Sequence, residues 1–285
     1  MSINSLFYLG LAILSLLLLI YICFKKGFRR SLLLFIAMVG LGYGIEAVIY
    51  NFLRSYQYYP DLIKNNPIYD SNLGAIASNA LALPAAAVFI ASYRKNWLWI
   101  GLIIGIFAAI EWLFLKLNIY FHNWWKIGYT SLGLPVYFTL AKVWYKKMAR
   151  PLIGFRHTLL LFLIIGPFSG TIQFLPMMLF SNRYYQLGWF ENRSSDSTAF
   201  AAAFYLCSCL FYVAISKVHI MPIWLKYVVT ASCMYAANFM LQEAGILHSL
   251  VWWDIWFYVI LSTITLRFTE TISKRLSNGP KAHNT

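Results

Sequence analysis

Nine apolar runs of about 20 residues restrict what this chain can fold into more than any other feature. A helix that crosses the hydrocarbon core of a bilayer needs about 20 mostly apolar residues. Inside the bilayer each backbone polar group must find a partner within the protein, so spanning segments are helices or closed barrels. The runs therefore predict an all-α, polytopic integral membrane helical bundle with about nine transmembrane helices.

The predicted spans fill most of the chain. Charged residues make up only 11% of it, against roughly 25% in soluble domains, and no connection is long enough for a soluble domain. We therefore expect a single transmembrane domain over residues 1–285, with a cytoplasmic tail at 269–285. The spans cover approximately residues 6–24, 32–52, 74–93, 97–117, 128–145, 158–180, 198–216, 223–247 and 251–268.

Lysine and arginine residues alternate along the chain between rich and poor connections. Cytoplasmic connections of membrane proteins are enriched in these residues, which predicts an N-terminus outside and a C-terminus in the cytoplasm. Because the basic residues form short clusters between spans, the net charge of +14 indicates topology and not a nucleic-acid partner. In this orientation the outer segments hold six of the 23 basic residues, namely Arg54, Lys64, Lys116, Lys126, Arg183 and Arg193.

Four polar residues share one depth in the predicted bundle. The second, fourth, sixth and eighth spans run outward, and each has one such residue about two-thirds of the way along or further: Glu46, Glu111, Gln173 and Glu243. The intervals of 65, 62 and 70 residues match the length of a two-span hairpin, so this spacing does not by itself indicate a duplication. An ionised carboxylate in hydrocarbon costs several kcal/mol, so we expect these groups to face the interior. They predict a polar cavity that opens outward.

A histidine and then a tryptophan pair follow the acidic residues of the fourth and eighth spans. Tryptophan pairs at such positions are typical of anchors in the headgroup layer. No HxxxH or HxxE spacing places two metal ligands on one helical face, so the sequence predicts no metal and no cofactor. The secondary candidates for the polar site are His122, His248 and Asp254.

Two outer connections, residues 53–73 and 181–197, are long, rich in aromatic residues and only weakly charged. We expect them to cap the outer face of the bundle. Gly40, Gly42 and Gly44 precede Glu46 and give the second span a slim face, on which another helix can pack closely.

The stretch at 110–147 reads IEWL at its start, YFHNWW in the middle and YKK at its end. It resembles a segment of uncharacterised multi-pass membrane proteins of Bacillus-type spore-forming bacteria. The resemblance covers under a fifth of the chain. It implies a multi-pass protein of a bacterial cytoplasmic membrane and no particular chemistry.

The sequence leaves three functions open. The first is an outward-facing binding or transport protein for a small amphiphile, cation or proton. The second is a structural or sensor membrane subunit, and the third is a membrane enzyme that acts on a lipid or isoprenoid with Glu111 as general acid. Walker A, GxSxG and HExxH motifs do not occur in the sequence. The expected partners are membrane lipids and a small amphiphilic or cationic ligand, and no nucleic acid.

Overall fold

The computed structural model describes residues 2–218 and 220–278. Each predicted span overlaps one helix, and seven of the helices described, all except α5 and α8, are long and apolar enough to cross a membrane. The described residues form nine continuous helices: α1 (Ile3–Lys26), α2 (Phe28–Phe52), α3 (Pro67–Ser92), α4 (Trp97–Lys116), α5 (Ile127–Lys147), α6 (Gly154–Phe180), α7 (Arg193–Lys217), α8 (Ile223–Glu243) and α9 (Asp254–Asn278).

Four three-residue strands lie in the connections between helices. They form two antiparallel pairs, β1 (Tyr56–Tyr58) with β2 (Tyr120–His122), and β3 (Arg183–Tyr185) with β4 (Leu247–Ser249). The predicted helical class is confirmed, but the strands were not predicted. Three residues are too few to show the alternating apolar pattern by which a strand is recognised.

Local sequence explains where several helices begin. The side chains of Asn66, Asn96 and Asn192 each accept a backbone N–H from the first turn of α3, α4 and α7. Such caps satisfy donors that have no partner inside the helix. Gly27 separates α1 from α2 with a φ of 100°, a conformation that favours glycine.

The chain divides into two compact units, Met1–Arg150 and Pro151–Thr285. The first unit contains α1–α5 with the β1–β2 pair, and the second contains α6–α9 with the β3–β4 pair. The prediction was a single domain with a cytoplasmic tail at 269–285. Helix α9 continues through the first part of that segment to Asn278, where the buried Leu276 accepts a hydrogen bond from Leu152 N (2.9 Å).

Both units have the same order of elements: helix, strand, helix, helix, strand, helix. In the first unit this order begins after α1. Arg183 in β3 stands 127 residues after Tyr56 in β1, and the same interval relates the hydrogen bonds around the strands. The matching bonds run from Tyr59 N to Ile119 O and Gln186 N to Ile246 O, from Asn123 N to Ser55 O and Leu250 N to Asn182 O, and from Ile119 N to Phe114 O and Ile246 N to Leu241 O.

Left-handed residues recur at the same interval. The pairs with positive φ are Arg54 and Ser181, Asp61 and Gly188, and Asn118 and Gly245. Turns with the same unusual backbone conformation, at one spacing and between matching elements, are what a duplicated unit produces. We therefore treat residues 127 apart in these elements as equivalent positions.

An aspartate closes the loop after the first strand of each unit. Asp70 accepts three backbone N–H groups from residues 61–63 at 2.6–2.9 Å. Asp196 accepts three from residues 187–189 at 2.7–2.9 Å. The serine after each aspartate binds the strand, because Ser71 Oγ accepts from Tyr58 N and Ser197 Oγ accepts from Tyr185 N.

Candidate functional site

The first unit encloses a cavity of about 200 Å³. This volume is far above the roughly 10–15 Å³ that a single water molecule requires. A mostly apolar cavity with a few polar groups is the usual form of a small-molecule site. Its apolar wall is formed by residues of α1–α5, namely Leu11, Ile45, Ile49, Leu83, Phe107, Ile110, Phe114 and Leu134.

Glu46 and Glu111 both line this cavity. The Tyr56 hydroxyl donates a short hydrogen bond to Glu46 Oε1. Oε2 of the same carboxylate is buried and has no hydrogen-bond partner among the described residues. The Asn79 amide lies beside the same carboxylate, and its NH2 group donates to the Tyr58 hydroxyl at 3.3 Å. Glu46 thus lines the cavity with one well-bonded carboxylate oxygen and one that is under-bonded.

Glu111 has a partner from strand β2. Its Oε1 lies 2.8 Å from Nε2 of His122, and the two side chains are 10% and 15% exposed. The sequence analysis placed His122 among the secondary candidates, and its role in the structure is to hold Glu111 at the edge of the cavity.

Aromatic rings from both strands form one side of the cavity. Tyr58 stacks on Tyr120 with ring centroids 4.8 Å apart, and Tyr56 contacts Tyr120 at 5.5 Å and Trp125 at 5.6 Å. Burial raises the pKa of all three tyrosines well above the ordinary value, and the neighbouring carboxylates and phenols raise it further. The phenols therefore stay neutral, and their faces are available to attract a cation.

Irregular helical turns place the polar groups at the cavity. Helix α2 changes to π-helical hydrogen bonding over Ala47–Phe52, directly after Glu46, and α3 does so over Ile76–Ala82, which includes Asn79. Single π-helical turns are rare and frequently occur at functional sites. The two helices approach closely beside them, since a Cβ atom on Gly42 would lie 3.1 Å from the backbone oxygen of Asn79.

The second unit holds a buried arginine in the equivalent region. Arg183, only 1% exposed, binds both oxygens of the fully buried Asp254 through Nε (3.0 Å each) and one through Nη2 (2.8 Å). Its Nη1 donates to the Tyr185 hydroxyl and to Asn238 Oδ1, both at 2.9 Å. The guanidinium carbon lies 3.5 Å from the centre of the Tyr258 ring.

These contacts keep the guanidinium of Arg183 charged. Burial alone would lower the pKa of Arg183, but Tyr185, Tyr258 and Asp254 together raise it above the ordinary arginine value. Beside Tyr258, the void that Gln173 and Tyr258 line measures about 10 Å³. A cavity of that volume holds one water molecule at most.

The structure brings together two of the four residues of the predicted polar cavity. Glu46 and Glu111 line the cavity of the first unit. Gln173 is buried in the second unit, where it donates to Ser169 Oγ at 3.3 Å. Glu243 is exposed at the end of α8. It follows the buried Asn238 by five residues, which turns its side chain by about 140° around the helix.

The two remaining candidates lie in the second unit. His248 stacks on Tyr184 with ring centroids 4.5 Å apart. Asp254 is the counter-ion of Arg183. In the part of the chain that the structure describes, no group of three or more His, Cys, Asp or Glu side chains is arranged to hold a metal ion.

The sequence analysis did not single out the aromatic wall, Arg183 or Asn238. It interpreted Arg183 only as one of the few basic residues outside the cytoplasm. An aspartate–serine pair recurs after each tyrosine-containing strand, at 70–71 and 196–197. This interval of 126 residues indicates the repeat, and the interval of 127 between the strands then shows which side chains replace one another.

Comparison of the chain with protein-family models, with curated proteins and with solved structures finds no match in any of the three. The function of the site is therefore argued from its geometry alone.

Proposed function

We propose that this chain is an integral membrane protein that binds or transports a small amphiphilic cation in the cavity of the first unit. The observation that supports this function best is Glu46, which lines the cavity and whose buried Oε2 atom makes no hydrogen bond to the described residues. A buried charge is costly unless it is paired. A bound cation would supply the missing partner.

The rest of the cavity suits the same ligand. Glu111 adds a second carboxylate, and the faces of Tyr56, Tyr58 and Tyr120 add cation–π attraction. The remaining wall is aliphatic or aromatic, which favours a ligand with an apolar body.

The membrane arrangement is part of the proposal. All nine helices cross the membrane, the N-terminus lies outside and the C-terminus is cytoplasmic, in the cytoplasmic membrane of a bacterium. The distribution of lysine and arginine supports this orientation, and the resemblance at 110–147 supports the location. Because Glu46 and Glu111 lie toward the outer ends of α2 and α4, the cavity would receive its ligand from outside.

The other two functions fit the geometry less well. A general acid must reach a bound substrate, whereas Oε1 of Glu111 is already engaged by His122 Nε2 at 2.8 Å. A subunit whose polar groups only hold helices together would not need an open cavity of about 200 Å³ beside an unpaired carboxylate oxygen.

Replacement of either cavity glutamate should weaken cation binding. We expect octylammonium to bind the purified protein in a neutral detergent, and Glu46→Gln or Glu111→Gln to raise its Kd about 10-fold or more, because a hydrogen bond to a charged group contributes about 1.5–3 kcal/mol. Isothermal titration calorimetry measures the Kd. Glu243→Gln is the matched control, since Glu243 is exposed, and its Kd should equal that of the wild type. Unchanged affinity in both cavity variants would refute the proposal.

Reporter fusions test the proposed orientation. Because the outer segments hold six of the 23 basic residues, a reporter joined after Lys147 should be active in the cytoplasm and one inserted near Asn192 should be active outside. Alkaline phosphatase and green fluorescent protein fusions distinguish the two sides. If both positions report the same side, the nine-span arrangement is wrong.

A further inference from the structure

We infer that the cavity of the first unit prefers an amphiphile whose head group is a planar guanidinium or amidinium. This inference rests on the cation binding proposed above and adds the chemistry of the head group. It comes from the second unit, in which the equivalent region is occupied by the guanidinium of Arg183.

Two of the groups that touch Arg183 have equivalents in the cavity. Asn238 and Glu111 both lie three residues before a carbonyl that accepts a hydrogen bond from the residue five positions later, Leu241 O from Ile246 N and Phe114 O from Ile119 N. Tyr185 and Tyr58 both end the first strand of their sheet and bind the serine after the loop aspartate. The Nη1 atom of Arg183 lies 2.9 Å from Asn238 and from the Tyr185 hydroxyl, so Glu111 and Tyr58 mark the matching place in the first unit.

The first unit has no arginine at the position of Arg183. Tyr56 stands at the position of Arg183, and its hydroxyl bonds to Glu46. Tyr56 lines a cavity of about 200 Å³ in the first unit, whereas the void that Gln173 and Tyr258 line in the second unit measures about 10 Å³. A free ligand can therefore take the place that Arg183 occupies.

At equivalent positions, the first unit has more negatively charged side chains than the second, as the binding of a free cation would require. Glu111 replaces the neutral Asn238, and Glu46 replaces the neutral Gln173. The carboxylate of the second unit, Asp254, has the apolar Ile127 as its equivalent. At this place the second unit pairs the carboxylate of Asp254 with Arg183, whereas the cavity of the first unit is lined by two carboxylates, Glu46 and Glu111, of which Glu111 contacts His122.

A guanidinium fits this arrangement better than an ammonium. It is planar, it is more weakly hydrated, and its N–H groups point along fixed directions that allow it to bond two acceptors while its face lies on an aromatic ring. Arg183 does so in the second unit, where it lies over Tyr258 and bonds to oxygen atoms of three side chains. In the first unit Tyr56, Tyr120 and Trp125 line the cavity, where a guanidinium would meet aromatic rings as Arg183 does.

Three ligands that share an octyl tail and differ in the head group test this inference. We expect octylguanidinium to bind the wild-type protein at least 10-fold more tightly than octylammonium, and octylurea, which is planar but neutral, to bind at least 100-fold more weakly than octylguanidinium. Glu111→Gln should reduce the preference for guanidinium over ammonium to less than threefold, because it removes the carboxylate at the position of Asn238. Glu243→Gln should leave the preference unchanged. Isothermal titration calorimetry in a neutral detergent provides the three Kd values.

The outcomes distinguish this inference from the proposed function. If octylammonium binds as tightly as octylguanidinium and both depend on Glu46 and Glu111, the head-group inference is wrong and cation binding stands. If octylurea binds as tightly as the two cations, or if no ligand responds to the glutamate substitutions, both are wrong. A guanidinium preference that persists in Glu111→Gln would also overturn the inference, since it would arise elsewhere than at the site matched to Arg183.

Discussion

Replacement of Arg183 by methionine is expected to lower the free energy of unfolding by about 3–5 kcal/mol, because it leaves a buried carboxylate without its counter-ion. Asp254 is fully buried, and three of its contacts come from this guanidinium. The substitution also removes the donors that hold Asn238 and Tyr185. Equilibrium unfolding in mixed micelles, followed by circular dichroism, measures the loss.

Two further variants show whether the unpaired charge is the cause. Arg193→Met removes an exposed arginine of the same unit, which lies 4.7 Å from the Tyr184 ring, and should cost no more than about 1 kcal/mol. Combining Arg183→Met with Asp254→Asn should recover part of the loss, since the charge is then gone. Wild-type stability of Arg183→Met would mean that the ion pair does not stabilise the second unit.

The helices were predictable because their signal is local. A run of about 20 apolar residues is sufficient to predict a helix, and the windows at 97–117 and 158–180 match α4 and α6 closely. The strands depend on pairing across more than 60 residues, as between Tyr56 and His122. Nothing in three consecutive residues records such a partner.

The candidate site was only partly predictable for a similar reason. Glu46 and Glu111, which were predicted to share one depth, both line one cavity, but depth does not determine the direction in which a side chain points. Glu243 has the right depth and faces outward, whereas Asn238, one and a half turns earlier, faces the interior. Tyr56 lies in a connection that was predicted only to cap the outer face, and Tyr120 lies in the short connection between the fourth and fifth spans, for which no role was predicted.

The duplication explains how one scaffold holds two different interiors. The loop aspartates, the strand pairs and the left-handed turns are the same in both units, and they fix the backbone. The side chains directed into the space between them differ, so one unit is filled by Arg183 and the other is open. Function therefore depends on the residues placed on the scaffold and not on the scaffold itself.

The two loop aspartates provide a matched pair of variants. Asp70→Ala removes an acceptor that binds three backbone N–H groups at 2.6–2.9 Å, and we expect it to lower the free energy of unfolding by at least about 2 kcal/mol. Asp196→Ala removes the same three bonds in the second unit and should cost about as much. Unfolding in mixed micelles measures both losses.

The same two variants are expected to differ in their affinity for the ligand. Loss of Asp70 frees the loop that Ser71 joins to Tyr58, so the aromatic wall loses its fixed position and the Kd for octylammonium should rise by about 10-fold. The hydrogen-bond partners of Asp196 all lie in the second unit, so Asp196→Ala should bind octylammonium as the wild type does at temperatures where it remains folded. If both variants lose affinity equally, the effect comes from general destabilisation. Selective loss in Asp70→Ala would instead tie binding to the strand that holds Tyr56 and Tyr58 at the cavity.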